Sequence, residues 1–295
     1  MKHIRIGTRR SKLARIQAEL VASKLHAWGV ETTIIPIQTS GDQNQNAPLA
    51  DIGGKALFCK ELQLALLDDH IDIAVHSLKD LEVFHPQGLK LLTTIERDDP
   101  GDIFLTHKGN GELFLKDSPF VLGTCSPRRA CFMKHLYPNV RIVPLRGNVE
   151  TRLDKLSSGI IDATILAASG LNRLGILGQL TQQFDVIPLN KQHFTPACGQ
   201  GIIAIEGKDY LYDFMQRIGH APTYAQAILE RYVQQVFEGT CHSALGAYAT
   251  ILGQKFNLQI QYEHPIHKDM HILHLNGDLK YYKTIIQDAL GPIRI

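Results

Sequence analysis

The sequence predicts an α/β protein with two similar lobes, each built on a parallel-rich mixed sheet, followed by a small α+β domain. Three observations predict it. The first fifty residues alternate strand, helix and strand patterns; the same pattern and punctuation return in the next hundred residues; and a different arrangement, one helix then alternating strands, begins near Pro222.

The opening unit runs from a short apolar strand, His3 to Ile6, through a Gly7-Thr8 turn into an amphipathic helix over Ser11 to Trp28 and a second strand over Thr32 to Gln38. This is a βαβ unit. A Gly53-Gly54-Lys55 turn then leads into a helix with apolar Leu57, Phe58, Leu62, Leu66 and Leu67. The run Ile71-Asp72-Ile73-Ala74-Val75 reads as a buried parallel strand that ends at His76-Ser77-Leu78-Lys79-Asp80.

The echo begins at Phe120-Val121-Leu122-Gly123-Thr124, continues through a helix, a strand over Val140 to Leu145 and a helix over Val149 to Leu156, and closes on Ile161-Asp162-Ala163-Thr164-Ile165-Leu166. Gly-Thr recurs at an offset of 116 residues and Ile-Asp at 90, so topology repeats while spacing does not. Phe194 to Gly201, rich in Gly and Pro and followed by apolar Ile202 to Ile205, reads as a hinge crossing back to the first lobe. The third unit opens with a helix over Tyr224 to Phe237, ends it at Glu238-Gly239, and carries strands such as Asn257 to Tyr262. The expected domains are therefore 1–96 with 195–216, 97–194, and 217–295.

With 31 basic and 29 acidic residues the 295-residue chain carries a formal charge of +2, which excludes a broad electrostatic footprint for nucleic acid or an anionic bilayer. The N-terminus leaves no room for the apolar core of a signal peptide, and no apolar run approaches the ~20 residues of a membrane span. Five cysteines without a CxxC pair argue against a disulfide framework or zinc ribbon, and no His/Cys/Asp cluster has metal spacing. A reducing cytoplasm is expected.

Basic charge is concentrated instead at the junctions. Arg9, Arg128, Arg129, Arg146, Arg152 and Arg173 fall near Gly-, Ser- or Thr-rich connections, where helix starts expose N–H groups and favour anions. Arginine grips carboxylate or phosphate through two parallel hydrogen bonds, so six of them point to a polyanionic ligand in a cleft between the lobes. Asp80, just past a buried strand, either caps a turn or stands as a carboxylate at the cleft floor. Cys241 is either a small buried hydrophobe or a thiol that another group can reach in its Gly-Thr loop. Lys55 divides between turn surface and anion contact, and His76 reads as a hydrogen-bonded strand-end histidine.

Seven motifs in order carry a resemblance to a known family: Gly7-Thr8-Arg9-Arg10-Ser11, Gly53-Gly54-Lys55-Ala56-Leu57-Phe58, Ala74 through Asp80, Arg146 through Leu153, Gly170 through Gly175, Pro196 through Gly201, and Glu238-Gly239-Thr240-Cys241. From Ile6 to about Ala249 the chain resembles the porphobilinogen deaminases, or hydroxymethylbilane synthases. The resemblance implies two periplasmic-binding-protein-like lobes and a third domain bearing a dipyrromethane cofactor on Cys241 through a thioether. It further implies that four porphobilinogen units join this primer head to tail, each losing ammonia, before the linear tetrapyrrole is hydrolysed off. Asp80 is then the catalytic carboxylate, and Arg128, Arg129, Lys79, Ser126 and Asp80 surround the cofactor. Arg9, Ser11, Arg146, Arg152, Arg173, Lys55 and Gln200 are the expected substrate contacts, in a monomer.

The chain departs from the family pattern where Leu81-Glu82 replaces Val-Pro, Cys125 a serine, Ala56 a glycine, Thr240 a glycine, and His242-Ser243-Ala244-Leu245 a stretch containing proline. Glu82 is expected to bring a second carboxylate near Asp80. A small-anion binding protein on the same two lobes is the rival, although simple capture requires neither Asp80 nor Cys241. Nucleic-acid binding lacks an aromatic stacking surface.

Overall fold

The computed structural model describes residues 2–40, 56–111, 118–237, 244–264 and 266–291. Lys55, the Gly53-Gly54 turn and Cys241 lie outside the described residues.

The first lobe is assembled from β1 (His3–Arg9), α1 (Lys12–His26), β2 (Glu31–Ile37), α2 (Ala56–Leu67), β3 (Ile73–Ser77) and β4 (Leu89–Thr94). Helix α1 forms because Ala14, Gln17, Ala18, Val21, Ala22 and Leu25 bury one face at three- and four-residue spacing. The Ser11 hydroxyl caps it by accepting the Ala14 N–H at 3.3 Å, while Lys24 and His26 complement the dipole of its last turn. The second lobe contains β5 (Asp102–His107), β6 (Phe120–Gly123), α3 (Pro127–Leu136), β7 (Val140–Val143), α4 (Val149–Ser157), β8 (Ala163–Ala167), α5 (Ala168–Leu174), α6 (Leu177–Gln183) and β9 (Phe184–Pro188). Ser126 and Asn148 cap α3 and α4 as Ser11 caps α1.

The chain then returns to the first lobe with β10 (Ile203–Lys208) and the short α7 (Tyr212–Met215). The two five-stranded sheets run β2-β1-β3-β10-β4 and β7-β6-β8-β5-β9. In each, three parallel strands are followed by one antiparallel strand delivered from the other lobe, β10 in the first and β5 in the second. The lobes therefore exchange strands through two crossings, over 95–101 and 189–202. The crossings pair with each other, with Ile95 N–H on Ile203 O and Asp98 N–H on Gly201 O.

The repeated Gly-Thr and Ile-Asp pairs are equivalent in space. A Cβ on Gly7 would collide with Ile71, and one on Gly123 would lie 2.8 Å from Ile161. Asp72 accepts the Arg5 N–H at 2.7 Å, and Asp162 accepts the Val121 N–H at 2.7 Å. Each pair thus closes its strand edge onto the following βα turn.

The third unit holds α8 (Ala221–Val236), an antiparallel sheet β11 (Leu245–Leu252), β12 (Lys255–Glu263) and β13 (Met270–Asp278), and α9 (Tyr282–Leu290). Leu229, Val233, Phe256, Leu258, Ile260 and Ile286 form its core. Helix α8 starts at Ala221, three residues before the sequence reading placed it, because Pro222 is tolerated in a first turn whose N–H groups have no helical partner. No described helix is long and apolar enough to cross a membrane.

The crossing at Gly201 tolerates no side chain. Its φ is +86° and an added Cβ would stand 2.5 Å from the Asp98 carbonyl oxygen. Gly201→Ala should cost about 3 kcal/mol or more in urea unfolding, against about 1 kcal/mol for Gly253→Ala, where φ is +61° in open space. Equal costs at the two positions would contradict this account of the crossing.

Candidate functional site

Strand β3 ends in a single 3-10 turn over Leu78–Asp80. Leu78 is buried and its N–H bonds to Ile202 O at 2.9 Å, so the turn is pinned to the second crossing while Lys79 and Asp80 emerge from it. The Asp80 carboxylate makes no hydrogen bond or ion pair among the described residues, and its backbone carbonyl accepts the Cys59 thiol at 3.3 Å. Asp80 therefore does not cap its own turn.

Facing this turn is a buried cluster organised on Asp102, the first residue of β5. Its side chain is fully enclosed. Arg128 Nη2 reaches Oδ2 at 2.6 Å, while Arg129 Nη2 and Nε reach Oδ1 at 2.6 and 3.0 Å. Both guanidinium groups also reach backbone: Arg128 Nη1 donates to Thr195 O and Arg129 Nη1 to Ile165 O. Arg128 Nε is buried without a partner among the described residues. Gln200 donates to Pro100 O, Gly101 O and Asp102 Oδ1, and its own oxygen accepts Lys79 Nζ at 3.2 Å. The cluster thus runs from the second lobe, through both crossings, to the residue beside Asp80.

Its electrostatics are unbalanced. Burial opposes the Asp102 charge, but Arg128 and Arg129 outweigh it and hold the carboxyl well below the usual aspartate range. Lys79 is pushed down to about 8, first by burial and then by Arg129, with Asp80 and Asp102 acting the other way. Burial, then Arg129, also lowers Arg152, which Cys125 and Asp80 oppose. Four cations, Lys79, Arg128, Arg129 and Arg152, share the space of two carboxylates. Such a site favours an anion.

The structure does not bring all the predicted arginines to this point. Arg9 lies partly buried at the end of β1 and Arg146 partly buried between β7 and α4, where it makes no hydrogen bond or ion pair among the described residues. Arg152 belongs to α4, with its Nε on Gly147 O at 2.9 Å. Arg173 sits in the last turn of α5 and is committed to the hinge: Nη2 donates to Gly201 O at 2.6 Å and Nε lies 3.5 Å from Asp98. Arg152 lies within the expected helix over Val149 to Leu156, and Arg173 is a helix residue rather than a connection residue because α5 runs to the Gly175 cap. The Ser11 and Ser126 hydroxyls serve as caps. Glu82, two residues past Asp80, makes no side-chain ion pair among the described residues.

Sequence reasoning missed Asp102, and the signal was present: an Asp opening the apolar run Ile103-Phe104-Leu105 places a charge at a buried strand start. It also missed Glu230 of α8, fully buried, which accepts Arg97 Nη1 at 2.6 Å, Gly199 N–H at 2.7 Å and Ala249 N–H at 2.8 Å. One carboxylate thereby joins both crossings to the third unit.

The family profile described as "Porphobilinogen deaminase, dipyromethane cofactor binding domain" matches residues 4–213. A porphobilinogen deaminase of Caulobacter vibrioides is 42% identical over 274 residues, 88% of this chain and 83% of that protein. One from Rickettsia akari is 40% identical over 256 residues, 84% of this chain and 83% of that protein. Among solved structures, an ancestral arginine-binding protein bound to arginine aligns with a TM-score of 0.43 at 12% identity, covering 74% of this chain and 89% of that one.

Replacing Asp102 by Asn should lower the unfolding free energy by about 3–5 kcal/mol, since two buried guanidinium groups lose their counter-charge. The depressed Asp102 carboxyl stabilises the fold above its ordinary value of 3.8, and that contribution falls away as pH drops below it. Urea unfolding at pH 7 measures the first effect; a loss under about 1 kcal/mol would show that the cluster is not held by this carboxylate.

Proposed function

The chain belongs to the porphobilinogen deaminase family, and from that premise we infer how its residues perform the reaction. It is a transferase, a hydroxymethylbilane synthase that condenses four porphobilinogen units head to tail onto a dipyrromethane primer, releases one ammonia per unit, and hydrolyses off the linear tetrapyrrole. The observation that supports the site assignment is the surplus of cations around Asp102 opposite the Asp80 carboxylate, which makes no hydrogen bond or ion pair among the described residues.

The residues fit the cofactor. Each pyrrole carries an acetate and a propionate, and the site offers planar guanidinium forks, an ammonium and the orphaned buried Arg128 Nε to receive them. Arg128, Arg129, Lys79 and Ser126 would hold these carboxylates, with Cys241 as the covalent anchor. When bound, the dipyrromethane supplies the electron-rich pyrrole carbon that the first unit joins.

Asp80 handles the charge that appears on the substrate. As the aminomethyl nitrogen of porphobilinogen leaves as ammonia, positive charge spreads over the pyrrole ring and its nitrogen. A carboxylate without a hydrogen bond among the described residues stabilises that cation and the ring N–H with little reorganisation. The same group receives the proton lost when the newly joined ring regains aromaticity. Arg9, Arg146, Arg152 and Arg173, with Ser11, Lys55 and Gln200, would bind the carboxylates of incoming and growing units. Arg146, partly buried without a counter-charge among the described residues, is best placed for this. Arg173 and Gln200, which hold the crossings, would act by setting the lobe arrangement.

We place the domain boundaries at 1–96 with 195–216, 97–194, and 217–295, supported by the separate sheets and by the two crossings. The protein is proposed to act as a monomer in the cytoplasm.

Intact-mass measurement of the purified protein tests the anchor. Wild type should carry a dipyrromethane adduct that Cys241→Ser lacks; retention of the adduct by that variant would place the attachment elsewhere. Asp80→Asn should keep the adduct and the fold and lower kcat by about 100-fold or more, and near-normal turnover would remove Asp80 from the chemistry.

A further inference from the structure

Behind Asp80 lies a chain of buried polar groups that the reaction chemistry leaves unused. Arg231 of α8 donates from Nη2 to the carbonyls of Glu82 and Val83 at 2.9 and 2.8 Å, just downstream of Asp80. The same nitrogen lies 2.9 Å from His85 Nε2. A guanidinium only donates, so His85 accepts at Nε2 and carries its proton on Nδ1, which donates to Glu206 Oε1 at 2.6 Å.

Glu206, fully buried on β10, also accepts Gln63 Nε2 at 3.0 Å. Its other oxygen lies 3.1 Å from His76 Nε2, an ion pair not aligned as a hydrogen bond. Cys59 donates to the Asp80 carbonyl at 3.3 Å and acts on His76 electrostatically. The path leaves the loop at residues 82 and 83 and re-enters it at Asp80. It closes into a ring at His76 through charge rather than through hydrogen bonds.

Charge keeps the ring assembled near neutrality. Burial opposes the charged imidazole of His76, but contacts to Cys59 and Glu206 prevail and raise it to about 10. Burial likewise opposes the Glu206 charge, but the contacts with His76 and His85 prevail and lower it to about 2. Apolar packing follows the same path: Ala227 of α8 sits with Leu78 and Leu81, which flank Lys79 and Asp80. Helix α8 ends at Val236, five residues before Cys241.

We propose that Cys59, His76, Glu206, His85 and Arg231 are positioning residues that fix the Asp80 loop to α8. The proposal rests on Asp80 being the catalytic carboxylate. Simple anion binding gives a thiol on the Asp80 carbonyl no role, whereas fixing one carboxylate in place does.

The test is steady-state kinetics on holoenzyme with porphobilinogen, alongside intact mass for cofactor content. Cys59→Ala removes the donor to Asp80; Cys59→Ser keeps one of similar size. Cys59→Ala should lower kcat about tenfold with KM within about twofold and a full adduct, and Cys59→Ser should return kcat to within about threefold of wild type. His85→Phe, which keeps the bulk and cuts the link from Arg231 to Glu206, should give the same kcat-selective loss. Wild-type kcat in both Cys59→Ala and His85→Phe would overturn the proposal. So would equal losses in Cys59→Ala and Cys59→Ser, because packing around residue 59 would then explain the defect. If Cys59→Ala fails to fold, His85→Phe decides by the same kcat criterion. A wild-type protein without adduct or turnover would instead count against the functional reading on which the ring depends.

Discussion

Two buried guanidinium groups sharing one buried carboxylate is the constraint on which the site depends. Asp102 opens β5, the strand the first lobe sends into the second, so its position is set by the crossing itself. Arg128 and Arg129 are drawn inward to it from the first turn of α3 rather than left in solvent. A buried ion pair of this kind adds little net stability compared with apolar packing, since desolvation offsets most of the attraction. What it provides is fixed geometry: the guanidinium planes are oriented before any ligand arrives, and one carboxylate cannot neutralise both. The remaining charge, joined by Arg152 and Lys79, leaves a surplus of cations that suits an anion.

Helix α8 gives the three units a common mechanical element. Consecutive residues on it do different work. Glu230 gathers Arg97, Gly199 and Ala249, joining both crossings to β11, while Arg231 reaches into the first lobe to hold the loop after Asp80. Glu230 and Arg231 thus bind the two crossings and the loop after Asp80 to one helix. The contact of α1 with α5 and the Lys12 to Glu150 pair are further points where the two lobes meet.

Much of this was legible in the sequence wherever the information is local. Gly7-Thr8 and Gly123-Thr124 announced equivalent turns because only glycine fits against Ile71 and Ile161, and the strand ending in His76-Ser77-Leu78-Lys79-Asp80 announced a carboxylate at a strand end. The arginines were recognised by residue type, but what holds them was not. Asp102 lies 26 and 27 residues from its arginines and 98 from Gln200, and no periodicity encodes such pairings. The exchanged strands β5 and β10 were hidden for the same reason: antiparallel insertion from the opposite lobe is a property of topology, not of a local pattern. His76 was read as a hydrogen-bonded strand-end histidine; its ion pair with Glu206 spans the sheet and appears only once β10 is placed beside β3.

The central claim is that ligand carboxylates supply the counter-charge this buried cluster lacks, and proton linkage at Lys79 reports it most directly. In the ligand-free site burial and Arg129 put Lys79 at about 8, so near that pH it is close to half protonated. Carboxylates beside it favour the ammonium and raise that value, so binding should take up protons and weaken as pH rises above 8. Calorimetric titration of the Cys241→Ser protein with a dipyrromethane tetracarboxylate at pH 8, in two buffers of different ionisation enthalpy, measures the uptake. The account predicts about half a proton per ligand, abolished by Lys79→Met. Binding with no proton uptake, or with the same uptake in Lys79→Met, would contradict it.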